Sequence, residues 1–298
     1  AVAHWLADHR RSPSHRCMDK DRQKLVKSLA GRYCDRSGND CRWYHGSWEL
    51  LKSLGVVSTS AVHAAEIERL LSSTMKTSPD MPRVLISGST DETLLQIAST
   101  AYERADRQVE FTALDICATP LKLMRQYADC KECQLQTVRK NILDYCPAER
   151  FDVILTHAFM GNFTALDRAA LARKWASLLT TGGRIVTIQR VRPEYSPETV
   201  RFNEEQSAGF VAAVTEAAAN DEGFTPEERQ EAVEAAITFA SRFSGYAIRS
   251  RQELESPFRD AGLDFLHLEY RKLEQRGELA GPSVPSGGEY AFIISGRR

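Results

Sequence analysis

Chemistry in this chain concentrates where short apolar runs end in polar residues. Ile86-Ser87-Gly88-Ser89-Thr90-Asp91 breaks an apolar run into a polar turn, and Leu114-Asp115 closes a second run 27 residues after Gly88. A buried parallel strand that feeds a turn and then a helix puts backbone N–H groups at its carboxyl end, where ligands of open α/β sheets bind. A carboxylate closing the next strand accepts both hydroxyls of a ribose, so the pair Gly88 and Asp115 points to a nucleoside-bearing cofactor. The plainer reading of Asp115 is a cap for the helix that starts near Thr119. Gly88 serves as a turn glycine and as a point of close backbone approach. Ser89 and Glu92 have the spacing of a capping box, which leaves Asp91 for a cofactor ammonium group.

The elements that must position these residues alternate. Strands are expected near 83–88, 109–115, 135–139, 151–156 and 184–190, and helices near 91–104, 120–129 and 164–180. Thr119-Pro120 reads as an N-cap followed by proline at the first helical position. Such alternation implies a doubly wound, mostly parallel sheet with helices on both faces. Residues 1–79 lack strand alternation and read as helices, with Leu25, Val26, Leu29 and Tyr33 on one apolar face. Thr77-Ser-Pro-Asp-Met-Pro82 is a boundary, since two prolines in a polar run stop a helix. Ser196-Pro197-Glu198 and Thr225-Pro226-Glu-Glu228 each open a long helix, so about 196–248 is a helical insertion in a core spanning 80–298. Ser250 to Ala261 resumes the core with a helix that Pro257 should kink. Phe265–Tyr270 and Glu289–Ser295 close the sheet as a hairpin, making seven strands with the last antiparallel.

In this ordered set of segments the chain resembles the class I S-adenosylmethionine-dependent methyltransferases, from about residue 82 onward and most strongly through residue 192. Ile86 to Asp91 stands where that family has its glycine-rich turn, although only Gly88 is a glycine here. Leu114-Asp115 stands at the ribose-binding acid, and Lys140-Asn141-Ile142-Leu143-Asp144 where an Asp or Asn beside an apolar residue frames the adenine. Phe151-Asp-Val-Ile-Leu-Thr156-His157 matches the fourth strand, and Leu178-Leu-Thr-Thr-Gly-Gly183-Arg-Ile-Val the turn into the fifth. More narrowly, the chain is similar to a bacterial branch with a helical N-terminal extension and a Thr-His pair after the fourth strand. The resemblance implies S-adenosylmethionine as cofactor and S-adenosylhomocysteine as product. It implies cofactor contacts from Ser87, Gly88, Ser89, Asp91, Asp115, Ile116, Asn141, Ile142, Leu143 and Thr156. His157 becomes the candidate base, against the alternative of a histidine packed under a lid. Tyr44, Trp48, Phe159 and Arg190 become acceptor-side residues, with core packing as the alternative for the aromatics and pairing with acids of the insertion for Arg190 and Arg192.

Bulk properties narrow the class. With 298 residues, 42% hydrophobic and 27% charged, the composition is that of an ordinary globular protein. A net charge of −1 offers no overall attraction to nucleic acid or anionic membrane. Eight Lys and Arg crowd residues 1–33 without interleaved aromatics, which reads as a solvated helical face. No run approaches a membrane span, and the basic N-terminus lacks the apolar core of a secretory signal. Seven cysteines, an odd number, point to reduced thiols and a cytoplasmic protein. No metal is expected. Cys130-x-x-Cys133 is half a zinc site without a second pair, the spacings of His4, His9, His15, Cys17, Cys34, Cys41 and His45 fit no familiar pattern, and Thr156-His157 supplies no acid for magnesium. The expectation is methyl transfer to an O, N or S nucleophile of a small molecule, without nucleic acid or membrane; the oligomeric state is open. The rivals are a catalytically silent cofactor-binding protein, an RNA methyltransferase and a nicotinamide oxidoreductase, the last disfavoured by the closing hairpin.

Overall fold

The computed structural model describes residues 13–34, 40–193, 195–272 and 288–297, with side chains from Arg22 onward. The basic residues Arg10 and Arg11 and the candidates His4 and His9 lie outside the described residues. The described helices are, in chain order, α1 (Pro13–Tyr33), α2 (Arg42–Ser53), α3 (Ala64–Met75), α4 (Thr93–Arg104), α5 (Ala118–Lys131), α6 (Ala165–Leu178), α7 (Glu204–Asn220), α8 (Pro226–Arg242) and α9 (Arg251–Asp260). The strands are β1 (Arg83–Ser87), β2 (Glu110–Asp115), β3 (Leu135–Arg139), β4 (Phe151–His157), β5 (Leu179–Val191), β6 (Thr199–Val200), β7 (Gly245–Tyr246), β8 (Asp264–Lys272) and β9 (Glu289–Gly296). Contacts divide the chain into two compact units of interleaved segments. Ser58–Arg201 with Phe243–Arg298 forms one, and Ala1–Val57 with Phe202–Arg242 the other.

The first unit holds a seven-stranded sheet in the order β3-β2-β1-β4-β5-β9-β8. Strands β1 to β5 pair in parallel, and β9 runs antiparallel to both β5 and β8. The order reverses between β1 and β4, which makes their carboxyl ends the crevice of a doubly wound sheet. Successive side chains of β1 and β4 enter opposite faces. Val84, Ile86, Val153 and Leu155 join one apolar core with α3 and α4, while Leu85 and Ile154 join another with α6 and α9.

Helix α3 belongs to this sheet unit, so the compact-unit boundary falls after Val57 rather than at the prolines near residue 80. Ile67, Leu70, Leu71 and Met75 recur at helical spacing and are buried in the core that holds Val84 and Ile86. Burying four such side chains contributes roughly 6–12 kcal/mol, far more than a turn signal weighs. Several local starts also differ from expectation. Helix α5 is capped by Cys117, whose sulfur accepts the Thr119 N–H, so Pro120 sits third in the helix. That position is tolerated because the first four N–H groups of a helix have no internal partner. Helix α7 starts at Glu204 behind an Asn203/Gln206 capping box rather than at Pro197. Pro257 lies inside α9.

The second unit is helical. α2 contacts both α1 and α8, and α7 contacts α8. The buried stripe of α1 is Val26 and Ala30, continued by Cys34 just past its end, whereas Leu25 is 38% exposed. Phe239 of α8 is fully buried at the hub of an aromatic cluster with Trp43, Tyr44, Phe202 and Phe210. The N-terminal helices and the insertion thus share one core. The pair β6–β7, which belongs to the sheet unit, marks where the insertion departs and returns.

Candidate active site

Three strand ends build the site. At the end of β1 the Gly88 N–H donates to the Leu114 carbonyl at 3.0 Å, extending the β1–β2 pairing into the turn. Gly88 has φ +71, and a Cβ there would fall 2.1 Å from the ring of Phe159. Both observations require glycine, and the group that approaches its backbone in this structure is Phe159. The Ser89 N–H then donates to Asp115 Oδ2 at 3.3 Å, and the Cys117 N–H to Asp115 Oδ1 at 2.7 Å. Asp115 is therefore aimed by two amides from two different turns. Ile116, beside it, is 47% exposed, as an apolar wall for a ring would be.

Asp91 is buried and caps the next helix, its Oδ1 accepting the Thr93 N–H at 2.9 Å. The Ser89–Glu92 capping box expected from spacing does not form. Ser89 Oγ donates to the Asp91 carbonyl instead, and the Glu92 side chain caps nothing. Asn141 Oδ1 accepts the Leu143 N–H at 3.0 Å, closing a short 3-10 turn over Ile142–Asp144. Its amide nitrogen remains the group that could donate to an adenine. Ile142 is buried in the core on the α6 side, and Leu143 is half-buried against it.

Ser87 ends β1 and Thr156 is the last residue but one of the adjacent β4, each one residue past the registered pair Ile86 and Leu155. Both hydroxyls are buried, and neither makes a hydrogen bond among the described residues. Such groups cost about 1–3 kcal/mol each when unmet, so their place at the crevice fits a site that receives a polar ligand.

His157, at the end of β4, is hydrogen-bonded through Nε2 to Nδ1 of His63 at 3.0 Å. His63 ends the short 3-10 turn Ser60–His63 and is buried, its ring edge-on to Tyr290 at 4.4 Å and to Phe292 at 5.5 Å. Burial lowers the His157 imidazole to about 3, with His63 adding repulsion. Burial lowers His63 to about 4, opposed by Glu66 and assisted by Arg271. The two rings are thus a neutral pair sharing one proton. Sequence reading singled out His157 and missed His63, since nothing near residue 63 distinguishes a histidine that meets its partner 94 residues later.

After His157, Ala158 takes a left-handed φ of 50, which turns the chain so that Phe159 lies on Gly88 and against Phe163 and Trp175. The turn is held from below by Arg168, also missed in the sequence. Its fully buried guanidinium donates to the carbonyls of Met160, Tyr246 and Ala247 and pairs with Glu253 at 2.8 Å. Arg190 is half-buried near the end of β5, beside buried Arg192, whose guanidinium burial and Arg190 push down to about 9. Tyr44 and Trp48 lie 5.2 Å apart in the helical unit, where Tyr44 stacks on Phe239. No described helix is long and apolar enough to cross a membrane.

No protein-family model matches the chain, and no curated protein matches it in sequence. Solved structures do resemble it. A candidate O-methyltransferase from Nostoc punctiforme aligns at TM-score 0.48 and 15% identity over 86% of this chain and 60% of its own. Magnesium protoporphyrin IX methyltransferase from Synechocystis, with bound S-adenosylhomocysteine, aligns at 0.48 and 9% over 80% of this chain and 84% of its own. A pericyclic reaction enzyme aligns at 0.45 and 10% over 76% of this chain and 47% of its own. The chain thus spans 60% of the first of these proteins and about half of the third.

Proposed function

We propose that this chain transfers a methyl group from S-adenosylmethionine to an oxygen, nitrogen or sulfur nucleophile of a small molecule. The observation that carries the reading is the Asp115 carboxylate, aimed by the Ser89 and Cys117 amides beside a left-handed glycine. It stands at the switch point of a sheet in which only the penultimate position, β9, is antiparallel. The residues fit the cofactor: a diol acceptor in Asp115, an exposed apolar wall in Ile116, an amide donor in Asn141, and two unmet hydroxyls in Ser87 and Thr156. When bound, S-adenosylmethionine supplies a methyl group already activated by its positively charged sulfur.

The work left to the protein is alignment, exclusion of water and proton removal. An acceptor that takes the methyl group, as the carbon–sulfur bond breaks, would shed a proton, and His157 at the end of β4 would be the residue to take it. Nε2 of His157 is committed to His63, so the base must be Nδ1. That requires the tautomer in which His157 Nε2–H donates to His63 Nδ1. His63 then selects the tautomer and accepts from the imidazolium that forms, the role a second group plays behind many catalytic histidines. Arg190 would meet a carboxylate or phosphate of the acceptor, and Phe159 would supply an apolar contact. The odd number of cysteines fits a reducing, cytoplasmic setting.

Calorimetric titration with S-adenosylmethionine and S-adenosylhomocysteine tests this. Micromolar binding is expected, weakened about 10- to 100-fold in Asp115→Ala by loss of one or two charge-assisted hydrogen bonds. Absence of binding by folded wild type overturns the reading. A second reading, cofactor binding without turnover, is favoured by the depressed basicity of His157. Undiminished cofactor binding with no methyl transfer to phenol, amine, thiol or carboxylate acceptors would support it.

A further inference from the structure

The candidate site leaves unused a cluster at the junction of α1 and α2 in the helical unit. Cys34 directly follows α1, is fully buried, and closes the last turn by donating its N–H to the Ala30 carbonyl at 3.0 Å. Cys41 is the N-cap of α2, but its side chain makes no capping hydrogen bond, unlike the capping side chains of α5, α6, α7 and α9. Its carbonyl accepts the His45 N–H at 3.0 Å, which fixes His45 one helical turn further on and on the same side. His45 is buried too. The two Sγ atoms and a ring nitrogen of His45 all lie within 4.8 Å of one another.

Tetrahedral zinc holds sulfur at about 2.3 Å and imidazole nitrogen at about 2.0 Å, so neighbouring ligand atoms lie roughly 3.3–3.8 Å apart. These three side chains need to draw in by only about 1 Å to close on one ion. Two thiols and an imidazole suit zinc, whereas magnesium and calcium take oxygen donors. We propose that Cys34, Cys41 and His45 bind a structural zinc ion that fastens the end of α1 to the start of α2. The fourth position is filled by water or by a further side chain. Binding requires both thiols to lose their protons, which makes the site tighter as pH rises. This centre stands apart from the methyl-transfer reading and does not depend on it.

Spacing along the chain is a one-dimensional pattern, and the expectation of no metal site rests on it. Cys-x6-Cys-x3-His is not a familiar motif, and the helix start that brings its members together is invisible in a spacing list. Cys130 and Cys133, the pair with the more familiar spacing, join no such cluster among the described residues.

The test uses the full chain, purified under reducing conditions without chelator and gel-filtered before elemental analysis. About one zinc per chain is expected in wild type and in Cys130→Ser/Cys133→Ser, with most of it lost in Cys34→Ser, Cys41→Ser and His45→Ala. Wild type stripped by chelator and refilled with cobalt should show thiolate-to-cobalt charge transfer from at least two sulfurs. In the stripped protein, amide exchange should quicken in α1 and α2, with zinc alone restoring protection; this arm requires no variant to fold. Stripped wild type that takes up no metal, cobalt bound without thiolate charge transfer, or a Cys34–Cys41 disulfide in the protein as purified would each overturn the proposal.

Discussion

His63 and His157 show how a pair of residues decides more than either does alone. Each is neutral when folded, with burial as the main cause, and each would protonate at about 6.5 in an unfolded chain. The folded protein therefore binds fewer protons than the unfolded one between pH 6.5 and about 4. Their contribution to stability is full above about 6.5 and is lost as pH falls toward 4 and 3. Urea titrations of wild type should lose stability between pH 7.5 and 5 more steeply than those of His63→Phe; equal slopes would deny the linkage. The catalytic counterpart is an acid limb of kcat/KM displaced well below 6.5. Single residues were unevenly legible in the sequence. Gly88 and Asp115 could be read because turn and strand end are local patterns, and the structure places them 3.0–3.3 Å from each other's backbone neighbours. Asn141 could be placed, but not the commitment of its carbonyl to Leu143. His63 was illegible because its meaning lies wholly in a partner brought to it by the sheet.

Among the elements, the strands and core helices were readable because burial on both faces writes continuous apolar runs into β1, β2 and β4. Their ends were not. Cys117 caps α5 and Asn203 caps α7, each displacing a serine, threonine or proline signal that looked stronger in isolation. The turn after β4 depends on an element that no local pattern announces. Arg168 on α6 donates to carbonyls of the turn, of Tyr246 at the end of β7 and of Ala247 after it, while Glu253 of α9 balances its charge. Burial pushes its guanidinium down and Glu253 pulls it back up. Arg168→Met leaves Glu253 with Arg249 alone and removes a donor from three carbonyls, so chemical denaturation should report a loss of about 3–5 kcal/mol. A loss below about 1 kcal/mol would mean that water replaces the guanidinium.

At the level of the whole molecule, α2 near the start of the chain and α7 and α8 from its last third share one aromatic core around Phe239. Sequence reading could see both helical segments but not that they form one unit, because no pattern along the chain links Trp43 to Phe239. The consequence is testable by hydrogen exchange on a chain lacking residues 1–57. Protection in α7 and α8 should collapse although they lie far downstream, while β1, β2 and β4 keep theirs. Preserved protection in α8 would show that the insertion folds unaided. Thr199 faces Tyr246 across the ribbon of β6 and β7, so the polypeptide leaves the sheet unit and rejoins it at a single stitch. What lies between can grow or shrink without moving a strand of the sheet, because its two ends are already tied to each other.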